Sequence, residues 1–514
     1  MGKSCFVATL LYMTSLVAAV AQELQRLASG LECQVAAEVT SSDGDYTPLW
    51  LNANRYGLSS LDLQNGYLRG SLERPVAADS SRRWGVGYGA DVAVAYGFTS
   101  TFVVQQAFVE ARWLRGLLTV GAKEQPIVLK NQQLSSGSQT FGKNARPVPQ
   151  IRVALPDYWT VPGTRGWLSL KGHLAFGMTT DDRWQKDFTS QQSRYTKNAL
   201  YHEKAGYLRI GPKNITFEMG LEMATQFGGK SYCMLADGHL GWVDNCSNLE
   251  SFLRALFPSG GESLEESYRN ALGNHVGSWV ARLNFDYPTW NIGLYADHFF
   301  EDHSSMLFLD YDGYGHGEDW DVKKDNRFFL YDLKDIMLGA ELQLKRCPWV
   351  DNVVVEFLST KYQGGPVYHD HTYHNSDHIS GRDDYYNNYI FTGWQHWGMV
   401  MGNPLYRSPL YNDSHEIKVM NNRFTAWHFG VGGHPACGLS YRLLATFQKG
   451  LGTYYGLYPD PKHNVSMLAE AQYAFRPSSP LHDWTVRGAF GLDRGGIYGD
   501  NTGVQVCVAR RFMK

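Results

Sequence analysis

The sequence predicts an all-β fold: a transmembrane antiparallel barrel of the outer membrane, with about 18 strands, an N-terminal periplasmic plug-like segment and long extracellular loops. Three observations lead there. From Trp84 on, the apolar residues Trp84, Val86, Tyr88, Ala90, Val92, Val94 and Tyr96 take every second place, with Gly85, Gly87, Gly89, Asp91, Ala93 and Ala95 between them. Such a strand meets two different solvents, and lipid outside with water inside suits it better than a secreted sandwich or propeller. The second observation is a leader with no apolar helix after it. The third is a set of turns in two sizes, which gives the chain an orientation.

In the leader, Lys3 precedes an apolar stretch from Phe6 to Val20, and Ala19-Val20-Ala21 stands ahead of Gln22. This reads as a secretory signal over 1–21, cut after Ala21. Cys5 lies inside the apolar stretch and marks no lipid anchor. No later run reaches the roughly 18 uncharged apolar residues of a spanning helix, and mean hydropathy is −0.34. Aromatic residues at 14% and 53 glycines fit interfacial girdles, tight turns and crowded lumen positions. A net charge of −3 is too small to mark nucleic acid as a partner. Of seven cysteines one leaves with the leader, and the rest contain no CxxC pair. Cys233 and Cys246 are candidates for closing one loop in an oxidising compartment, which their spacing leaves open.

After the leader, 22–65 is expected to hold the plug or periplasmic segment and the first strand, and 66–514 the barrel with its loops. Two-faced strands recur. Val109, Ala111 and Trp113 alternate with Glu110 and Arg112; Phe217, Met219 and Leu221 with Glu218 and Glu222; Trp279, Ala281 and Leu283 with Arg282 and Asn284; Met467, Ala469 and Ala471 with Glu470 and Gln472. So many inner-face charges require a polar lumen. Gly211–Asn214, Tyr287–Trp290 and Cys347–Asn352 read as short periplasmic turns, and 181–201, 230–276, 297–335 and 364–417 as extracellular loops. Leu249, Phe252, Leu253 and Leu256 share one helical face before Pro258, with Ser263 and Glu266 as a capping box and packing over the barrel mouth as the expected role. The chain closes on Val504, Val506, Val508 and Phe512. At about 50 to 55 residues per hairpin with its long loop, the mature length gives roughly 18 strands.

Three segments carry family information. The first runs Thr47-Pro48-Leu49-Trp50-Leu51-Asn52-Ala53-Asn54-Arg55-Tyr56-Gly57-Leu58. The second is His298-Phe299-Phe300-Glu301-Asp302-His303-Ser304 with Asp310-Tyr311-Asp312-Gly313. The third and most specific spans Thr360 to Pro366, Asp377-His378-Ile379-Ser380-Gly381-Arg382-Asp383-Asp384-Tyr385-Tyr386-Asn387-Asn388, Gly393-Trp394-Gln395-His396-Trp397-Gly398 and Gly402-Asn403-Pro404-Leu405. Together they resemble the Wzi-type capsule-assembly outer-membrane proteins, in particular the Bacteroidetes branch, from about residue 40 to the end. The resemblance implies a plugged barrel acting as a surface lectin that helps hold capsular polysaccharide. It implies no catalysis and no cofactor. It puts Trp50, Asn54, Arg55 and Tyr56 in the plug. The chain departs from the enterobacterial form in a shorter N-terminal part with little helical periodicity.

The residues speak for sugar binding on their own. Trp394, Trp397, Tyr385 and Tyr386 offer flat apolar faces for a pyranose, and Asn387, Asn388, Asn403, Gln395, His396 and Arg382 offer partners for hydroxyls or a uronate carboxylate. The bland reading of the same aromatics is a girdle or a wedge between loop and barrel. Expected partners are capsular or surface polysaccharide and outer-membrane lipid, for a monomer. His369, His371, His374 and His378 lack helical ligand spacing and read as hydrogen-bonding loop residues. Asp310, Asp312, Glu318, Asp319 and Asp321 lack the EF-hand order. Ser304 beside His298, His303 and Asp302 makes no nucleophile elbow, and Glu218 with Glu222 simply lines the lumen, so no enzyme is expected. The rival function is a porin or transporter for small solutes or oligosaccharides.

Overall fold

A computed structural model describes residues 26–211, 213–235, 237–257, 273–301, 309–315, 317–330, 334–368, 373–374 and 379–513. The expected leader, Ser263 and Glu266 lie outside the described residues. Strands β1 (Glu32–Asp43), β2 (Gln64–Arg74), β3 (Trp84–Tyr96), β4 (Phe102–Trp113), β5 (Gly116–Ala122) and β6 (Gln150–Thr160) open the barrel. Then come β7 (Leu168–Met178), β8 (Leu200–Ile210), β9 (Ile215–Phe227), β10 (Asn274–Asp286), β11 (Trp290–Glu301) and β12 (Ile336–Leu344). The circuit ends with β13 (Asn352–Ser359), β14 (Phe424–Ala436), β15 (Leu439–Gly452), β16 (Leu457–Ala474), β17 (Trp484–Gly495) and β18 (Asn501–Met513). All 18 strands form one sheet. It is antiparallel throughout and closes where Glu32 of β1 stands opposite Met513 of β18. Closure removes both sheet edges, so no backbone row faces lipid unpaired.

Burial along the strands is the inverse of a soluble protein's. In β3 and β4, Val92, Val94, Tyr96, Val104 and Val109 are exposed on the outer face, while Asp91 and Glu110 are buried on the inner one. An apolar belt outside and polar groups inside identify an integral outer-membrane barrel. Both described chain ends lie at the end that carries the turns 75–83, 114–115, 161–167, 211–214, 287–289, 345–351, 437–438 and 475–483. The predicted short turns all fall here. The opposite end carries 44–63, 123–149, 179–199, 228–273, 302–335 and 360–423, along with short links.

A barrel this wide is too large to be filled by its own side chains. Chain fills it instead. Residues 44–63, 123–149 and 383–423 fold inward from the long-connection end as three inserts, and Leu49–Leu51, Leu134, Val148, Trp394, Met399–Met401, Leu405 and Tyr406 form one buried cluster with the wall residues Tyr295, Phe299, Val354 and Phe424. This revises the end from which the plug expected within 22–65 enters, while the first strand expected in the same range is present as β1. Glu32–Asp43 is itself a wall strand, and the inserted part enters from the end away from the chain termini, carrying only a short helix, α1 (Leu49–Asn52). The insert 123–149 has no sequence signal beyond a gap in the alternation. It leaves β5 through Gly121 at φ +119°, where a Cβ would lie 2.0 Å from Ala107 O.

The inner wall grips the inserts through charge. Lys130 Nζ donates to Asp297 Oδ2 at 2.6 Å, and both side chains are essentially without solvent contact. Replacing Asp297 with Ala strands a buried ammonium, so unfolding in detergent is expected to become easier by about 3–5 kcal/mol, read as a fall in thermal midpoint. The exposed pair Arg254–Glu250, at 2.6 Å on the outer surface, serves as the control. Breaking it is expected to cost about 1 kcal/mol or less.

Candidate functional site

Inner-face carboxylates act as receptors for the inserts. Glu356 of β13 accepts Ser135 Oγ at 2.6 Å, Ser136 N at 2.8 Å and Tyr295 OH at 2.6 Å. Asp297 of β11 also accepts Gln139 N at 3.1 Å, and Asp493 of β17 accepts Leu49 N at 2.9 Å. Glu222 of β9 takes Tyr207 OH at 2.7 Å and Ser138 Oγ at 3.4 Å, while Glu218 takes Tyr158 OH at 2.8 Å. Glu301, from the second family segment, accepts the backbone N–H of Tyr386. The bonds from Leu49, Ser135, Ser136, Ser138, Gln139 and Tyr386 satisfy amides and hydroxyls that irregular chain would otherwise bury unpaired, while those from Tyr158, Tyr207 and Tyr295 join wall to wall.

The four residues expected in the plug lie within the lumen. Trp50 Nε1 donates to Thr446 Oγ1 at 3.1 Å, with its ring 4.9 Å from His428. Asn54 Nδ2 reaches Ser136 O at 2.9 Å, Arg55 pairs with Glu470 at 3.1 Å, and Tyr56 OH donates to Gln125 O at 3.0 Å. Asn54 and Tyr56 both have positive φ, 57° and 52°, held by the bonds of Asn54 to Ser136 and Asn144 and of Tyr56 to Gln125 and Lys143.

Most residues read as sugar contacts are plug residues too. Trp394 is 1% exposed; its ring stacks on Tyr201 at 5.8 Å and its Nε1 donates to Thr140 O at 3.1 Å. Tyr386 stacks on Tyr406 at 3.9 Å and donates its hydroxyl to Gln139 O. Tyr385 meets Phe299 edge-on at 4.8 Å and donates to Asp335 at 3.3 Å. None of these three rings keeps a face for a ligand. Asn387 holds Val419 through both amide atoms, and Asn403 holds Gly137 and Leu405. Asn388 accepts Ile390 N at 2.8 Å, and Gln395 Oε1 accepts Gly398 N at 2.8 Å. Their polar groups are consumed in fixing the third insert's turns. Trp397 is half-buried beneath the Arg146 guanidinium, 4.4 Å away, and Arg382 alone of the set is exposed.

The rim of the long-connection end holds a different set. Two guanidinium groups lie over the Tyr454 ring, Arg423 at 3.7 Å and Arg382 at 4.7 Å. Tyr454 OH donates to Tyr362 O at 3.0 Å, and Arg423 Nε donates to Lys361 O at 3.0 Å. The exposed Tyr362 ring has Lys334 at 5.0 Å and Lys361 at 5.6 Å, and Lys418 stands 5.9 Å from the exposed Tyr455. Asp335 lies beneath and accepts Tyr362 N at 3.0 Å; burial raises its carboxyl above the usual value. This platform joins 334–335, 361–362, 382, 423 and the turn 453–456, segments distant in sequence. The Tyr454-Tyr455 pair at a hairpin tip was its one local signal.

Below the inserts, a cavity of about 570 Å³ reaches from Asp351 and His434 at the short-turn end up to Arg55, Lys143 and Glu470. Burial, with Arg442 and Arg55 nearby, pushes the Lys143 ammonium down to about 8. Among the described residues no group of three His, Cys, Asp or Glu gathers to hold a metal ion. His374 stands against Tyr373 at 5.0 Å, while His369, His371, His378 and Ser304 lie outside the described residues. Cys233 and Cys246 are unbonded.

No family model and no curated relative matches the chain. Among solved structures it is similar to Wzi of Escherichia coli, an outer-membrane protein involved in group 1 capsule assembly and described as a carbohydrate-binding β-barrel. That match has 14% identity and a TM-score of 0.54, covering 96% of this chain and 86% of that one. It is also similar to Pseudomonas aeruginosa OprD, at 11% identity and a TM-score of 0.45 over 95% of each chain. OccK5 of the same organism matches at 7% identity and a TM-score of 0.47, over 94% of this chain and 98% of that one. At these identities the likeness is one of fold.

His396 provides a pH test of the plug. Its Nε2 accepts Thr180 N at 3.1 Å, so the proton sits on Nδ1, which donates to Arg146 O at 2.9 Å. Burial holds its pKa below the ordinary 6.5. The folded imidazole is neutral while the unfolded one takes a proton below pH 6.5, so this contribution to stability is present above 6.5 and lost as pH falls beneath it. His396→Gln is expected to flatten the fall of the thermal midpoint on acidification, and an unchanged pH profile would contradict the assignment.

Proposed function

We propose that this protein binds capsular or surface polysaccharide noncovalently at its outer rim and aids capsule assembly or attachment, without catalysis. The observation that carries the reading is the rim platform, with the arginine-covered Tyr454 beside exposed Tyr362 and several basic side chains. Tyrosine faces cover the C–H side of a pyranose, and guanidinium groups pair with hydroxyls or uronate carboxylates in plane. The carbohydrate binding stated for Wzi agrees with this reading. The filled lumen favours binding over passage. The double variant Tyr362→Ala, Arg382→Gln is expected to shed polysaccharide into the medium with synthesis unchanged, while Trp394→Ala is expected to lower stability first. A capsule retained normally by the rim variant would count against the platform.

The rival is a porin, for which the charged cavity under the inserts is the specific support. Purified protein in a planar bilayer is expected to stay closed because three inserts cross the lumen. A steady open current would favour the rival.

A further inference from the structure

The outer wall is not bare everywhere. On β7, β8 and β9 the outward residues Leu174, Leu208 and Phe217 are exposed and apolar. Toward the long-connection end the same outward faces carry His202, Met223, Thr225 and Phe227, which are nonetheless buried. They alternate with Glu203, Glu222 and Gln226, so nothing in the lumen covers them. Part of the cover is α2 (Leu249–Leu256), in the connection 228–273. It packs on β8 and β9: Phe252 meets Phe227 at 5.1 Å and Phe176 at 5.4 Å. Lys204, on the outer face of β8, donates to Ala255 O at 2.9 Å and Leu256 O at 2.5 Å, holding the carbonyl end of the helix, and Asn248 caps its start. This helix lies on the outside of the barrel, not over its mouth.

Its circumference divides into three parts. Ser251, Phe252 and Ala255 turn toward the wall. One flank carries Leu249, 76% exposed, and Leu253, 50% exposed, followed just beyond the helix by Phe257, 70% exposed. The other carries the Glu250–Arg254 ion pair. A helix on a wall in water has no reason to leave its largest apolar residues uncovered along one flank. The height of the helix supplies the reason. Met178, the last residue of β7 and exposed outward, stands opposite Leu200, whereas Phe176 stands opposite His202 and Leu174 opposite Lys204. The apolar band of the wall thus extends past the level at which Lys204 holds the helix, so the bare flank stands at the height of that band.

We infer that α2 is an interfacial helix, with Leu249, Leu253 and Phe257 seated among outer-leaflet acyl chains and the Glu250–Arg254 flank turned away from them. The inference rests on the membrane placement of the barrel and is independent of polysaccharide binding. To test it, the photoreactive residue p-benzoylphenylalanine is placed at position 253 of the full chain. The protein is folded into vesicles of phosphatidylethanolamine and phosphatidylglycerol, illuminated, and weighed by mass spectrometry. A lipid adduct is expected at 253, as abundant as at the wall position 208 and many-fold above position 254 and above position 389, where Tyr389 is exposed on the third insert. An adduct at 208 with none at 253 overturns the inference, and equal yields at 253 and 254 overturn the orientation.

Discussion

Carboxylates that face inward from the wall meet amide and hydroxyl groups that face outward from the inserts, and the closed lumen depends on that exchange. An irregular segment inside a barrel buries peptide groups that no ladder satisfies. A carboxylate on an inner face is equally costly when dry and alone. Glu356, with Ser135, Ser136 and Tyr295 around it, and Asp297, with Lys130 and Gln139, cancel the two costs against each other. Each insert therefore has a fixed seat, because a shift of one residue breaks several charge-assisted bonds at once.

This constraint explains what the aromatic residues of the third insert do. Once carboxylates fix the backbone, the space left between insert and wall needs large rigid side chains, and Tyr385, Tyr386, Trp394 and Tyr406 supply them. Positive φ at Tyr386, 68°, and Trp397, 55°, belongs to the same economy of tight turns held by packing. A sequence rich in Trp, Tyr and Asn is thus as much a description of a filled barrel as of a sugar site. Burial separates the two.

The barrel was legible because its signal is local: alternation and turn residues are each read within a dozen residues. The strand from Trp84 to Tyr96 appears with the bounds its pattern suggests. Inner-face charges were legible as charges but not as receptors, since Glu356 and Ser136 meet across 220 positions. For the same reason 123–149 gave no warning, and Arg423, Tyr454 and Arg382 could not be joined from the sequence. The helical face at 249–256 was legible, but its seat on the outer wall depends on Lys204 and Phe176, which belong to other hairpins.

The inserts also bear on the rim they leave exposed. Tyr362 N and Gln363 N both donate to Asp335, which also accepts the hydroxyl of Tyr385 from the third insert. Tyr454 in turn is tied to the carbonyl oxygens of Lys361 and Tyr362. The platform is therefore suspended from the plug through buried bonds. A flexible loop would have to be ordered on binding, at a cost in side-chain and backbone entropy for each residue fixed. Here much of that ordering is already done by the bonds that close the lumen. The bonds that seat the inserts and the bonds that hold the rim thus form one connected set.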